Sequence, residues 1–456
     1  MGRKQNSAKK QKRGNENDDR ISKLPDELII FILSLLNVKE AARTSVLSRR
    51  WHQVWTFIPS LNFDPSVVIN DLCWVRNRWF LLKGRSKYVN WVNSVLKTHQ
   101  GSNLDKFRVQ FDLDGNHRHH IDAWLKFAIE RRVKNLSMDF RNFEGLLDPQ
   151  YCFPVLGNLS KRLRSGTVGF PHCTSLRALE LVAVNINADQ IEYFLSNCPF
   201  LERVCVIGSS ALVNLRVAGA SLCLRYLELI HCYGLESLYI SATNLISFVF
   251  HGPSIKISYE NIPNLVEVYF AADFVGPIIK YLLQLSSYVS QIETLELNLF
   301  GGMEKIDPLC KFPVFANLKK WKLKIHATNN TRTLLDYAPF IHACPALQTF
   351  ELEIARWNKH NVVMRRAKEV PDPHCPHKNL REVKIVGFTG LAVDNEIATY
   401  LIKNAFSLEK IILDTSAPTS VDNRWDHKDP MSIETAVKCA MGLKYRFALG
   451  NKLKLR

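Results

Sequence analysis

"LKKWKL", residues 318–323, is the stretch whose reading decides the fold. Leu318, Trp321 and Leu323 are apolar, and the last two alternate with lysines as in a strand buried on one face. The same L-x-x-L-x-L spacing returns in "LRALEL" (176–181), "LERVCV" (201–206), "LRYLEL" (224–229), "LVEVYF" (265–270), "IETLEL" (292–297), "LQTFEL" (347–352), "LREVKI" (380–385) and "LEKIIL" (408–413). Its central residue falls at positions 107, 136, 179, 204, 215, 227, 238, 248, 268, 295, 321, 350, 383 and 411. From 268 onward the intervals are 26–29 residues with one of 33, close to a leucine-rich-repeat period. Each long interval has room for a strand, a turn and a helix. In "ADQIEYFLSNCPFLERVCV", Ile191, Phe194 and Leu195 share a helical face ahead of the strand. Between 204 and 248 the steps shorten to 10–12 residues, enough for a strand and a turn but no helix. "IKISY" (255–259) reads as one more degenerate strand, and "SKRLRSGTVGF" (160–170) as a basic loop. The expectation is one continuous parallel sheet, flatter where the short repeats lie.

The chain has 456 residues, 46% of them hydrophobic, which is enough for sizeable cores. No apolar run approaches the ~18 residues of a membrane span, and the charged N-terminus has no apolar region behind it like that of a secretory signal. The cysteines number eleven, odd and scattered, which fits reduced thiols in a nuclear or cytoplasmic protein. Cys173, Cys198 and Cys344 occupy a repeat slot filled elsewhere by Ile262, Phe315 and Ala405, so they read as small core hydrophobes. The net charge of +17 favours nucleic acid, small anions or acidic proteins without choosing among them. "KKQKRG" (9–14) reads either as a nuclear localisation signal or as a solvated tail.

Ahead of the repeats stands "LPDELIIFILSLLNVKEAARTSVLSRRWHQVW", residues 24–55. Pro25 suits a first helical turn, and Asp26 and Glu27 favour the helix's positive end. The run Leu28–Leu33 is then apolar around nearly the whole circumference, and such a helix has to be buried on every side. Three helices in about forty residues bury too little surface by themselves. Either they pack on the rest of the chain, or another protein completes their apolar face.

These residues resemble an F-box, the module that docks on S-phase kinase-associated protein 1 in cullin-RING ubiquitin ligases. The resemblance covers residues 19–55. It implies that Leu24, Pro25, Leu28, Ile32 and Leu36 form one contact row with the adaptor, and Val46, Leu47 and Trp51 a second cluster. Some of these residues must also hold the three helices together, so core and contact are not separable at this level. A second stretch, "CPHKNLREVKIVGFTGLAVDNEIATYLIKNAFSLEKIILD" (375–414), resembles the FBD segment that closes many plant F-box/leucine-rich-repeat proteins. On its residues alone it reads as strand, turn, helix and strand, capping the open end of a solenoid.

The sequence carries few marks of catalytic chemistry. There is no P-loop, no G-x-G-x-x-G after a strand and no H-E-x-x-H. "HRHH" (117–120) and "HCPH" (374–377) lack a paired Cys-x-x-Cys and read as loop histidines rather than a zinc site. The exposed strand face is more informative. It presents Arg203, Arg216, Tyr226, Tyr239, His251 and Tyr269, then Lys320, Lys322 and Lys324, as candidate target-binding residues. The three lysines read either as an anion site or as partners of Glu296, Glu351 and Glu353 on neighbouring strands, and the second reading is preferred.

The resulting expectation is an α/β chain. It comprises a basic tail (1–18), an F-box (19–60), a helical linker (61–100), a leucine-rich-repeat solenoid (101–374), FBD-like repeats (375–414) and a C-terminal extension (415–456). By resemblance it is a non-catalytic, cofactor-free substrate-recognition subunit of an SCF-type ubiquitin ligase. Its partners would be the adaptor, a cullin and RING protein through it, and a target of unknown identity. The alternatives are a ligand-gated receptor of the same architecture and a nucleic-acid-binding solenoid. The interleaved acids on the strand faces weigh against the latter.

Overall fold

The structure, a computed structural model, describes residues 23–67, 78–142, 145–154, 173–219, 222–272, 275–299, 312–327, 333–356, 376–416 and 430–456. It opens with the short helices α1 (Asp26–Ser34), α2 (Val38–Arg43) and α3 (Trp51–Val54). Asn37 caps α2 by accepting from the Glu40 N–H at 2.9 Å. Directly behind them comes β1 (Ser60–Phe63), then the helix α4 (Arg78–Thr98) and the strand β2 (Lys106–Gln110).

Strand and helix then alternate: α5 (Arg118–Glu130), β3 (Asn135–Asp139), β4 (Tyr151–Cys152), β5 (Ala178–Val182), β6 (Val184–Asn185), α6 (Ala188–Asn197) and β7 (Arg203–Ile207). A section with no helix among its described residues follows, with β8 (Asn214–Ala218), β9 (Tyr226–Ile230), β10 (Ser237–Ser241), β11 (Ser247–His251), β12 (Lys256–Tyr259) and β13 (Glu267–Ala272). The chain next runs through α7 (Val275–Gln284), β14 (Thr294–Leu299), β15 (Lys320–Ala327), α8 (Ala338–His342) and β16 (Thr349–Arg356). It ends with β17 (Glu382–Val386), α9 (Ala392–Asn404), β18 (Lys410–Asp414), α10 (Pro430–Arg446) and β19 (Leu453–Leu455).

Among the described residues the main sheet has fourteen strands in the order β1-β2-β3-β5-β7-β9-β11-β13-β14-β15-β16-β17-β18-β19, all paired in parallel. The expected single sheet also had fourteen members, but it was a different set. The strands at Leu215 and Leu238 leave it. Together with the "IKISY" strand they form a second parallel sheet, β8-β10-β12. Consecutive short steps therefore alternate between two walls. Leu215, Val217, Leu238, Ile240 and Ile257 of the small sheet join the same core as Leu227, Phe248 and Phe270 of the main one. The rings of Phe248 and Tyr259 meet edge to face across it, with centroids 6.3 Å apart. A strand here fills the place a helix takes in other repeats, since a wall is needed and ten to twelve residues cannot supply a helix and two turns.

Two further strands enter the main sheet at its ends. β1 makes residues 61–100 the first repeat, with α4 as its helix, rather than a linker. β19 and α10 make the end of the 415–456 extension a last repeat. Both lie outside the recognisable repeat spacing: Ile58, Leu61 and Phe63 keep the motif, but Leu61 stands 46 residues before Phe107, and Leu453 stands 42 residues after Ile411.

Cross-repeat polar contacts fix the stacking. Asn244, Asn264, Asn317 and Asn379 each donate Nδ2 to a carbonyl of the preceding repeat, those of Leu222, Thr243, Ser290 and Pro345, at 2.7–3.0 Å. Both edges of the small sheet are closed by side chains. Glu192 of α6 accepts from the Arg216 N–H at 2.9 Å, and Gln284 of α7 accepts from the Ile257 N–H at 3.1 Å.

The N-terminal helices share this core without a break: Ile29, Leu33, Val38, Trp51 and Val54 are continuous with Leu61 and Phe63. The His99 ring bonds the Ile58 carbonyl at 3.0 Å, and the Gln100 N–H donates to the Thr56 carbonyl at 2.9 Å. Cys173, Cys198 and Cys344 are buried in their repeat slot, and the Cys198 thiol is pushed well up by its hydrogen bond with Cys173 and by burial.

Candidate functional site

Helix α1 is apolar on every side, and the fold uses its two sides differently. Ile29 and Leu33 are fully buried against the core. Leu28, Phe31, Ile32, Leu35 and Leu36 are exposed, Leu35 at 72%. Their spacing of three and four residues is an amphipathic helix stripe, here turned outward. Val46 and Leu47, 85% and 65% exposed, add apolar surface at the turn that follows α2. Pro25 is exposed and Leu24 half-buried at the head of the helix. Arg50 fixes that head: its Nε and Nη2 both donate to Asp26 Oδ1, at 2.8 and 2.6 Å, and Nη2 also donates to the Leu24 carbonyl at 2.6 Å.

One expected contact residue belongs elsewhere. Trp51 is only 4% exposed and packs in the core, because α3 turns its indole inward beneath α1. Two exposed residues, Phe31 and Leu35, escaped the sequence reading. It followed the i, i+4 row through Leu28, Ile32 and Leu36 and left out the i+3 neighbours that widen the stripe.

The second surface is the outward-facing row of side chains on the main sheet. Glu296, Lys322, Glu351 and Lys384 lie in register on β14 to β17. Lys322 Nζ is 2.7 Å from Glu353 Oε1, Lys324 Nζ 2.9 Å from Glu296 Oε1, and Lys384 Nζ 2.9 Å from Glu351 Oε1. Further out, Lys410 pairs with Glu382 at 2.5 Å. Lys322 and Lys324 are thus held sideways by carboxylates, as preferred from the sequence. Lys320 is exposed and has no ionic partner among the described residues.

The other expected target-binding residues divide. Arg203 stacks over the Tyr226 ring at 3.7 Å and lies 3.5 Å from Glu228, to which the Tyr226 hydroxyl donates at 2.8 Å. Tyr269 is half-buried and accepts from Asn298 Nδ2 at 3.3 Å. Arg216 and Tyr239 do not join this face. They stack on each other at 4.2 Å on the small sheet, the other wall of the solenoid, because the short repeats alternate between walls. His251 is buried at the end of β11, its ring 4.1 Å from that of His231, so it presents nothing outward.

Of the histidine clusters, His117 bonds Asp114 at 2.8 Å and His120 bonds Asn93 at 3.2 Å. His374 and Cys375 lie outside the described residues. Among the described residues no group of three metal-ligating side chains converges, and no helix is long and apolar enough to cross a membrane.

Two surfaces, an outward apolar stripe on a three-helix head and a long parallel strand face behind it, describe a docking protein built on a repeat solenoid. The chain belongs to the plant F-box/leucine-rich-repeat proteins: residues 95–444 match the family described as At1g61320/AtMIF1, LRR domain, and residues 21–61 match the F-box domain. It is 25% identical over 417 residues to the F-box/FBD/LRR-repeat protein At5g53840 of Arabidopsis thaliana, covering 87% of this chain and 88% of that protein. It is 26% identical over 441 residues to F-box/LRR-repeat protein 13 of the same plant, covering 88% and 90%. The Arabidopsis F-box/LRR-repeat protein At5g02700 is 33% identical over 194 residues, 40% of this chain and 37% of its own length. An F-box domain implies binding to an SKP1-type adaptor, and the F-box/LRR pairing supports a general role in SCF substrate recognition.

Proposed function

We propose that this chain is the substrate-recognition subunit of a cullin-RING ubiquitin ligase. It docks an SKP1-type adaptor through Leu28, Phe31, Ile32, Leu35, Leu36, Val46 and Leu47, and reaches the cullin scaffold and RING protein through that adaptor. The observation that carries this reading is the outward stripe on α1. A contiguous exposed patch of large apolar side chains marks a surface that a partner covers. The strand face of the solenoid holds the target. The chain supplies no catalytic group of its own; it raises the effective concentration of target lysines near a ubiquitin-conjugating enzyme. The pairing of Lys322 and Lys324 with carboxylates weighs against both an anionic ligand and a nucleic acid on this face.

The test is direct binding of the full chain to a purified SKP1-type adaptor by calorimetry, beside Leu35→Asp. Binding that is lost in the variant, with an unchanged melting profile, supports the reading. Equal binding by both proteins, or none by either, overturns it.

A further inference from the structure

The C-terminal repeat is covered on one side only. A Cβ added at Gly390 would meet the Thr435 carbonyl, Ala436 Cα and Cys439 Cβ at 2.8–3.0 Å, so that flank of α10 is seated on the turn ahead of α9. Ala436, Ala440 and Leu443 face the core and are buried. Val437, Met441 and Tyr445, four residues apart, line the opposite flank and are 37%, 43% and 77% exposed. The strand beneath is open as well. β19 pairs with β18 alone, and Arg456 makes both of its bonds to that side: its N–H donates to the Leu413 carbonyl and its carbonyl accepts from the Thr415 N–H, each at 2.9 Å. In a parallel sheet successive residues turn their N–H and C=O toward opposite neighbours. Leu453 and Leu455 therefore direct theirs away from β18, where no strand among the described residues receives them. An apolar helix flank beside an unpaired strand is the surface on which a solenoid stacks its next repeat.

Charge decides what covers it. Residues 438–456 hold Lys438, Lys444, Arg446, Lys452, Lys454 and Arg456 and no Asp or Glu. Lys438 pairs with Glu434 at 2.6 Å, but Lys444, Arg446, Lys452 and Lys454 have no carboxylate partner among the described residues. A second copy of this chain fits poorly. Two β19 strands paired about a two-fold axis would centre on Lys454 and set it against its own mate, and like charges directly opposite destabilise a strand pair. The basic N-terminal tail, seven Lys/Arg against Glu16, Asp18 and Asp19, suffers the same repulsion. An acidic guest meets no such conflict. Leu453 is buried on the core side of β19 and Lys454 points to the other face, so the guest's apolar residues fall beside the leucines and its carboxylates beside Lys454.

We propose that the end of the solenoid formed by β19 and α10 is a docking site for an extended acidic segment of another protein, which adds to the sheet as its next strand. Main-chain bonds to Leu453 and Leu455 hold the segment, and alternating apolar and acidic side chains select it. The apolar ones cover Val437, Met441 and Leu455; the acidic ones meet Lys454 and Lys452. This site is separate from the adaptor stripe and does not depend on the ligase reading.

The test is fluorescence anisotropy of the full chain with a labelled decapeptide that alternates valine and glutamate. Two controls accompany it: the same residues in two blocks, and valine alternating with lysine. The alternating acidic peptide should bind about tenfold more tightly than either control, because only it matches both the strand period and the charge. Leu455→Pro removes one outward N–H at an edge position that tolerates proline, and should weaken binding about tenfold with an unchanged melting midpoint. Lys454→Glu, an exposed exchange that serves if the proline variant fails to fold, should weaken it by a similar factor. Leu35→Asp should leave it unaltered. Equal binding of the block peptide, no binding of any peptide, or indifference to both variants would overturn the proposal. So would a concentration-dependent dimer in sedimentation that Leu455→Pro abolishes, since a second copy would then occupy the edge.

Discussion

Leu35 and Trp51 are both large apolar residues of the N-terminal helices, and replacing them should produce different losses. Leu35 is 72% exposed and lies outside the core. Leu35→Asp or Leu28→Asp should therefore leave the melting profile alone and weaken adaptor binding by about 30-fold or more, the scale of an interface hot spot. Trp51 fills core volume, so Trp51→Ala should cost about 3–5 kcal/mol of stability, read by denaturant titration, with any docking loss following from unfolding. Lys322 offers a third contrast. Its partner Glu353 is nearly buried, so Lys322→Glu sets two carboxylates together where little water reaches. The expected cost is about 2 kcal/mol, above an exposed pair and below a fully buried one. At this scale the sequence was half legible. The outward-facing lysines and their acidic neighbours could be placed by strand alternation alone. Which side of α1 faces the core could not, since every residue from Leu28 to Leu33 is apolar and the period carries no contrast.

The strands with ten-residue steps show what limits reading at the scale of an element. Leu215 and Leu238 obey the same L-x-L alternation as Leu227 and Phe248, because burial on one face looks identical whichever wall the strand belongs to. The alternation predicts a strand and is silent about its neighbour; only the step length, too short for a helix, hinted at a different stacking. The asparagine ladder was equally hidden, since a single Asn before a leucine reads as a turn residue. Its worth can be measured. Asn317→Ala removes a 2.7 Å hydrogen bond to the Ser290 carbonyl and should cost about 1 kcal/mol. Asn317→Asp should cost more, because a carboxylate then faces that carbonyl oxygen. Chemical denaturation of the three proteins side by side orders them, and an Asp variant as stable as the parent would contradict the account.

For the molecule as a whole, buried imidazoles set an acid limit, and two of them, His251 and His377, are shifted far. His251 is held at about 4 by burial and then by the neighbouring His231, and His377 at about 4 by burial and then by His342. Both stay neutral in the folded chain, whereas the unfolded chain takes up these protons from about pH 6.5 downward. Their contribution to stability is complete above that value and is lost progressively as the pH falls toward 4. Thermal melts at successive pH values should show a falling midpoint across this window, and the double change His251→Asn with His377→Asn should flatten the slope. The architecture at this scale was legible from the repeat period. Its two ends were not, because β1 and β19 stand more than forty residues from their neighbours in the sequence, outside the period.

The seamless core between the first helices and β1 bears on how the protein tolerates shortening. β1 pairs with β2 on one side only, and α2 packs against it. Excising residues 23–59 would uncover a raw parallel edge and the apolar flank of Leu61 and Phe63, a template for whichever strand drifts past. A truncated copy of this kind should scatter light as a self-associating species instead of competing for targets as a decoy. Silencing the protein without clogging its surroundings therefore calls for a single exchange on the outer stripe, which leaves the helices over the first strand in place and only changes what they can grip.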